Sequence, residues 1–223
     1  AGTALACERD AGGGLLRINK SQGITITGSK TLTIKNARIE VTTIDAIKAL
    51  SDTSVVALQN VTLVLQSAGF SFSQGSMTIA GNVTLTGGAI TTTPTTTFEL
   101  ATKGSLTIGE NAVLTVDPNV NFSYNIDGSA DANSAAQKRH IIMSYVGSTI
   151  NLNGCTVLTS TNGIALDQGT LRIQDLVTIS TLTGTNASFE FGALLTTQLL
   201  AGANLNINGL ATYSEVVAIP LRY

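Results

Sequence analysis

Apolar and polar residues alternate in short stretches along this chain, and a polar step divides each stretch in two. The segment GSLTIGENAVLTV, residues 104–116, is an example, because its alternating halves flank Gly109, Glu110 and Asn111. Alternation with a period of two predicts β-strands with one buried face and one exposed face. Taken alone, the segment predicts either a β-hairpin or two sides of a longer coil.

The same strand–corner–strand pattern occurs seven times, at residues 31–41, 56–65, 76–87, 105–116, 149–160, 170–180 and 204–214. Several copies follow one another after 21 to 24 residues, whereas a meander of hairpins would repeat at every hairpin. A period in the low twenties is typical of one full coil of a β-solenoid. The sequence therefore predicts an all-β fold, a single-stranded parallel β-helix of about eight to ten coils.

The residue after the polar corner is apolar in all seven copies: Ala37, Val61, Val83, Ala112, Cys155, Leu176 and Leu210. Coils stacked in parallel would place these residues in one inward column. Alternation then predicts a second inward column with Ile39, Leu63, Leu85 and Leu114. The residues between the two columns are predicted to point outward: Arg38, Thr62, Thr84 and Val113.

Asparagine recurs at the corner in four copies, as Asn36, Asn60, Asn82 and Asn111. Asn tolerates the left-handed backbone that a tight corner needs, and stacked Asn side chains can hydrogen-bond along a column. The corner residues therefore predict a structural ladder. The alternative function is glycosylation, because Asn-x-Ser/Thr sequons occur at Asn60, Asn82, Asn121 and Asn186.

Two segments interrupt the pattern of the β-helix domain, residues 15–223, which follows an N-terminal arm at residues 1–14. Residues 43–50, TIDAIKAL, have the apolar spacing of a short helix, with Asp45 in its first turn. Residues 127–140 are the longest polar stretch and predict a loop insertion from one coil, either a solvated loop or a contact loop. The candidate contact residues are Asp127, Asp131, Lys138, Arg139 and His140.

Composition restricts the class of protein further. Charged residues make up 12% of the chain and its net charge is −2, so nothing indicates a nucleic-acid partner. No apolar run reaches the roughly 18 residues of a membrane span. Low charge with abundant Thr, Asn and Gly favours an extracellular or cell-surface protein. A disulfide of Cys7 and Cys155 would persist there, within one chain or between subunits; a buried free Cys155 is the alternative.

Candidate chemistry is sparse in the sequence. The carboxylates Glu99, Asp117, Asp167 and Asp175 lie at unrelated coil positions, so no pair is predicted to meet across adjacent coils as glycosidase carboxylates do. One histidine with no partner nucleophile gives no triad, and two cysteines with one histidine give no zinc-binding spacing. The sequence therefore predicts no catalytic, cofactor or metal site.

The segment GSLTIGENAVLTV and its relatives resemble the coils of right-handed parallel β-helix surface proteins, such as autotransporter and filamentous-haemagglutinin-like passenger regions. The resemblance covers about residues 23–214. It implies right-handed winding, secretion, cell-surface display, and adhesion or extracellular assembly. Pectate-lyase-like enzymes and phage tailspikes share the fold, so the resemblance bears on fold more than on function.

The ends of the solenoid suggest a function, because each end of a solenoid exposes an unpaired strand edge. The C-terminal residues are largely apolar, and the candidate subunit contacts among them are Val216, Val217, Ile219, Leu221 and Tyr223. Contacts that join head to tail without closing give filaments. We therefore expect a secreted structural subunit that assembles end to end with copies of itself into a surface filament or matrix. The alternatives are an adhesin that binds host or matrix glycans, and a polysaccharide-active enzyme.

Overall fold

A computed structural model of the chain describes residues 15–18, 23–88, 96–126, 134–160, 162–182 and 187–213. These residues form three parallel sheets and one short helix, α1 (Ser134–Gln137). The largest sheet contains β1 (Leu15–Ile18), β3 (Thr31–Val41), β5 (Val55–Leu65), β7 (Ser76–Gly87), β9 (Ser105–Ile108), β10 (Val113–Val116), β12 (Ile141–Met143), β13 (Thr149–Asn153), β15 (Ile164–Gln174), β17 (Ala187–Leu199) and β19 (Gly209–Tyr213). The second sheet contains β6 (Phe70–Phe72), β8 (Thr96–Ala101), β11 (Val120–Asn125), β14 (Thr156–Thr159), β16 (Leu176–Thr181) and β18 (Asn204–Ile207), and the third pairs β2 (Ile24–Ile26) with β4 (Ile47–Ala49).

Each turn of the chain pairs with the turns before and after it, so the molecule is a parallel β-solenoid of about 7 turns. In β3, β5 and β7, for example, Ala37 pairs with Val61, and Val61 pairs with Val83. The predicted all-β solenoid is thereby confirmed. The turns are fewer than expected from the length because some are long: the insertion lies between Val113 and its pairing residue Thr149.

Residues 104–116 form two sides of one turn, and not a hairpin. Strand β9 pairs with the first half of β7 and with β12, while β10 pairs with the second half of β7 and with β13. The two strands therefore find their partners in neighbouring turns, as a period in the low twenties predicts.

The core is a set of stacked apolar columns inside the solenoid. The predicted inward residues Ile39, Leu63, Leu85 and Leu114 are each at most 1% exposed. In the second sheet, Phe70, Phe98 and Phe122 stack with ring centroids 5.6 and 5.4 Å apart. Alternation within each strand buries one face and leaves the other to solvent, which is what places polar side chains on the flanks of the solenoid.

A turn has three corners, and the seven polar steps in the sequence do not all belong to the same one. The first corner joins the two strands of the largest sheet, at Asn36, Asn60, Asn82 and Asn111. The second corner leads into the second sheet, and the third leads back to the largest sheet. The register places Asn153-Gly154 and Gln174-Asp175 at the second corner, because β14 and β16 follow them, and Asn208-Gly209 at the third.

This difference in corners overturns the predicted inward position of Leu176. Leu176 is 60% exposed, and its neighbour Val177 is 0% exposed and takes the inward position. The reason is that all three corners need polar residues or residues that tolerate a left-handed backbone. Similar local sequences therefore occur at corners that are not equivalent.

The helix predicted over residues 43–50 is wrong. The segment makes a bend at the second corner and then the strand β4, in which Ile47 and Ala49 point inward and are 1% and 5% exposed. Ile44 and Leu50, which a helix would have placed on its buried face, are about half exposed. The strand prevails because β2 supplies a parallel partner, with Ile24 paired to Ile47.

Candidate functional site

The C-terminal part of the insertion is a packed structure on the flank of the solenoid. Strand β12 follows it directly, and its backbone joins the ladder, since Leu106 N donates to His140 O and Ala165 N donates to Lys138 O, at 2.8 and 2.9 Å. Lys138, Arg139 and His140 are therefore placed between two turns of the solenoid. The other candidate contact residues, Asp127 and Asp131, lie outside the described residues.

Tyr124 anchors this segment from the core. The Tyr124 side chain is 0% exposed, and its hydroxyl donates to the carbonyl oxygen of Gln137 and accepts a bond from His140 N at 3.0 Å. Burial raises the pKa of the Tyr124 phenol well above its ordinary value, so the hydroxyl keeps its proton. His140 adds a further bond from Nδ1 to the carbonyl oxygen of Gly104 at 2.9 Å.

Arg139 joins three successive turns through two carboxylates. Its Nε lies 3.0 Å from Asp167 Oδ2, and its Nη2 lies 3.0 Å from Glu190 Oε1. Lys138 Nζ lies 3.9 Å from Glu190 Oε2. The hydrogen bond to Asp167, with the nearby carboxylate charges, raises the pKa of Arg139.

The structure therefore brings together two carboxylates that the sequence analysis kept apart. Asp167 was predicted to have no carboxylate partner in an adjacent coil, and Glu190 was not recognised as a candidate. Ala165 pairs with Glu190, and this register places the side chains of Asp167 and Glu190 near the guanidinium of Arg139. Asp167 and Glu190 are 23 residues apart, which is one period of the repeat, and both follow the third corner, so the period is the signal that could have placed them in adjacent turns. With Arg139 and Lys138 beside them, their charges are balanced, which suits a structural ion-pair network.

The remaining candidate carboxylates lie elsewhere on the solenoid. Glu99 accepts bonds from Ser71 Oγ at 2.7 Å and Asn125 Nδ2 at 3.0 Å, in neighbouring turns of the second sheet. Asp117 and Asp175 both lie at the second corner, where Asp175 adopts a left-handed backbone with φ of 57°. Within the described ranges, no group of three or more His, Cys, Asp or Glu side chains is placed to hold a metal ion.

The corner asparagines form a hydrogen-bonded ladder over three turns. Asn36, Asn60 and Asn111 have left-handed φ values of 49°, 52° and 53°. Asn60 Nδ2 donates to Asn36 Oδ1 at 3.2 Å, and Asn82 N donates to Asn60 Oδ1 at 3.1 Å. In the third of these turns Gly81 takes the left-handed position, with φ of 58°, so Asn82 contributes its backbone amide.

The four sequons remain predictions. The side-chain amide of Asn60 is used in the ladder, and Asn121 lies within β11, where it pairs with Thr156. Asn82 is exposed beside Gly81. Asn186 lies outside the described residues, as do Cys7, the arm at residues 1–14, and the C-terminal candidates Val216, Val217, Ile219, Leu221 and Tyr223.

Cys155 is a buried free thiol that is 3% exposed. Desolvation by burial raises the pKa of the Cys155 thiol to about 12, so the thiol is protonated at neutral pH. A buried, protonated thiol packs as a small apolar group and reacts slowly.

Comparison of the chain with protein-family models, with curated proteins and with solved structures finds no match. The fold is therefore established by the register of the strands, and the likeness to autotransporter and haemagglutinin-like passenger regions rests on the coil pattern. In the described part of the chain, no helix is long and apolar enough to cross a membrane.

Proposed function

We propose that this protein is a structural subunit of an extracellular filament or matrix, and that it assembles end to end with copies of itself. The observation that supports the proposal is the partial exposure of the inward apolar residues in the last described turn. Its inward residues Leu195, Leu199, Leu205 and Ile207 are only partly buried, whereas the inward residues of the central turns are almost fully buried. Among the described residues, β18 pairs only with β16, and β19 only with β17.

A second copy fits the last described turn because the turns of this solenoid stack on one another through apolar columns and parallel strands. Aliphatic columns continue from turn to turn, and a parallel strand ladder surrounds them. The first described turn also presents partly buried apolar side chains, Leu16 and Ile24. Stacking the first turn of one copy on the last turn of another would continue both the columns and the ladder. Such a head-to-tail contact does not close and therefore propagates.

The test compares two double variants of the same strand, β18. Leu205→Lys with Ile207→Lys places charge in the inward column, while Asn204→Lys with Asn206→Lys adds the same charge on the exposed face. We expect negative-stain images and light scattering to show filaments for the native chain and for the Asn variant, but not for the Leu–Ile variant. Circular dichroism checks that the remaining turns stay folded.

Two outcomes would contradict end-to-end assembly. One is a monodisperse monomer of the native chain at every concentration tested. The other is filament formation that is equally strong in both lysine variants, because assembly would then not use the inward column.

A second candidate function, glycan binding by an adhesin, is favoured by the outward face of the second sheet. Register aligns five hydroxyl or amide side chains in one outward column: Thr97, Asn121, Thr156, Thr178 and Asn206. Side chains in such a column lie about 4.8 Å apart and present donors and acceptors along a flat flank. Substitution of Thr156 and Thr178 by Val should abolish binding to host-cell glycans if this flank is the binding surface.

A further inference from the structure

The fifth first corner of the solenoid displays apolar side chains where the earlier first corners display polar ones. It lies between β12 and β13, and carries Tyr145 and Val146, which are 51% and 69% exposed. The first corners of earlier turns carry Asn36, Asn60 and Asn111. Tyr145 and Val146 are adjacent, so they form a small contiguous apolar patch, which indicates a contact surface more than a single exposed residue does.

The corner is held rigidly by a buried serine. Ser148 is 0% exposed, and its hydroxyl lies 2.8 Å from Gly109 O and 3.0 Å from Ile108 O. The same oxygen accepts a bond from Tyr145 N at 3.3 Å, and Ser148 N donates to Tyr145 O at 3.0 Å. The Tyr145 ring is therefore presented from a fixed backbone, which lowers the entropy cost of binding a ligand.

Amide side chains lie on both sides of this corner along the solenoid axis. In the preceding turn, Asn111 Oδ1 approaches Gly147 so closely that a Cβ there would be 2.5 Å away. In the following turn, Gln168 Nε2 donates to Met143 O at 2.8 Å. One turn further, Leu194 pairs with Gln168 and is 64% exposed. Successive turns are about 4.8 Å apart, so Asn111 and Gln168 each lie about one turn from Tyr145, and Leu194 lies about 10 Å from it along the axis.

We propose that this corner is a binding site for a neutral saccharide, with the Tyr145 ring as its platform. A sugar ring has an apolar C–H face that packs on an aromatic ring, and hydroxyls at its edge that pair with amides. Asn111 and Gln168 supply those amides, and Val146 and Leu194 supply apolar contact at the rim. A protein partner would need a continuous apolar area, which Gln168 interrupts here. The site is separate from the filament contacts and does not depend on end-to-end assembly.

The experiment titrates the full chain with cellohexaose, chitohexaose and mannohexaose by isothermal calorimetry. We expect at least one hexasaccharide to bind the native chain. Tyr145→Ala should raise the Kd of that hexasaccharide by roughly tenfold or more. Tyr145→Phe keeps the platform and should retain the affinity within about twofold. Leu176→Ala is the matched control, because it removes an exposed apolar side chain at a different corner.

Three outcomes would overturn the site. In the first, none of the three hexasaccharides binds the native chain at millimolar concentration. In the second, a hexasaccharide binds with equal affinity to the native chain and to Tyr145→Ala. In the third, light scattering shows that Tyr145→Ala removes a lateral association between copies of the chain, so that the corner is an interface between copies. Loss of saccharide binding with filaments intact would separate this site from the assembly contact.

Discussion

At the scale of single residues, left-handed positions decide where each turn bends. Asn60 and Gly81 occupy this conformation in successive turns, but their side chains act differently. Asn60 uses its amide to link the turns on both sides, and Gly81 leaves room for it. A Cβ on Gly81 would lie 2.1 Å from Asn60 Oδ1, so this glycine is required by its neighbour as well as by its own backbone.

We predict that Gly81→Ala destabilises the protein more than Gly28→Ala does. Both residues have φ near +60°, but a Cβ at Gly28 meets nothing within 4 Å. Each substitution pays the left-handed penalty of about 1–2 kcal/mol. Gly81→Ala also forces Asn60 away from Asn82 N, which adds about 0.5–1.5 kcal/mol. Urea unfolding measures the difference, which should shrink when Asn60→Gly is present in both proteins.

Cys155 gives a second residue-scale prediction, concerning alkaline pH. Its folded pKa is about 12, above the ordinary thiol value of roughly 8.5, so ionisation favours the unfolded chain. Ionisation of this thiol does not change the free energy of unfolding below pH 8.5. Above pH 8.5 it lowers the free energy of unfolding progressively as the pH rises towards 12. We expect the native chain to lose up to about 1.4 kcal/mol more per pH unit than Cys155→Ala between pH 9 and 10.5. Equal slopes for the two proteins would contradict the buried thiol.

At the scale of elements, the described part of the insertion, residues 134–140, is joined to the solenoid by side-chain contacts and by backbone bonds to the carbonyls of Lys138 and His140. Tyr124 holds it from inside, through Gln137 and His140, and Arg139 holds it from outside, through Asp167 and Glu190. The hydrogen bonds of Tyr124 stabilise the attachment more than the ion pairs of Arg139 do, because the ion pairs are partly exposed and solvent weakens them. The insertion should therefore detach locally when the inner contact is lost.

We predict that Tyr124→Phe releases the segment around His140. The variant leaves the buried carbonyl of Gln137 and the amide of His140 without their hydroxyl partner, at a cost of about 1–3 kcal/mol. Hydrogen exchange at the His140 amide should accelerate while exchange in β5 and β7 stays slow. Tyr145→Phe is the control, because it removes a phenol hydroxyl from an exposed ring. Unchanged exchange at His140 would show that Tyr124 does not hold the insertion.

At the scale of the whole molecule, the packing of the core leaves a small cavity. An apolar cavity of about 20 Å³ lies inside the later turns, lined by Leu114, Val116, Phe122, Ile141, Ile150, Leu152, Val157, Ile164, Leu166, Leu171 and Phe189. It lies beside the turn where the insertion re-enters the solenoid. In the inward column that contains Ile164, the next turn carries Phe189, and side chains of such different shape do not fill the interior evenly.

We predict that Val157→Ile stabilises the protein by up to about 1 kcal/mol, because one added methylene enters the cavity. Val177→Ile is the matched control: Val177 is 0% exposed and does not line the cavity. Overpacking there should cost about 1–3 kcal/mol. Thermal unfolding monitored by circular dichroism measures both changes. A loss of stability in both variants would mean that the cavity cannot accept a methylene.

Local patterns were enough to predict the strands and the inward columns that include Ile39 and Leu63, because alternation is a property of neighbouring residues. They were not enough for residues 43–50, whose spacing fits a helix as well as a strand. There the outcome depended on β2, a partner more than twenty residues away. The predicted inward position of Leu176 is wrong for a related reason, because polar corners of different kinds have similar sequences.

The sequence by itself determined the parallel solenoid and the direction of most side chains in its first turns. Both follow from the alternation of apolar and polar residues and from its repeat every 21 to 24 residues. Only the tertiary structure decided which corner each polar step forms, which side chains share Arg139, and that Tyr145 lies in the turn between those of Asn111 and Gln168. These relations join residues in different turns. The lengths of the connections between strands set them, and no local pattern records how the turns align.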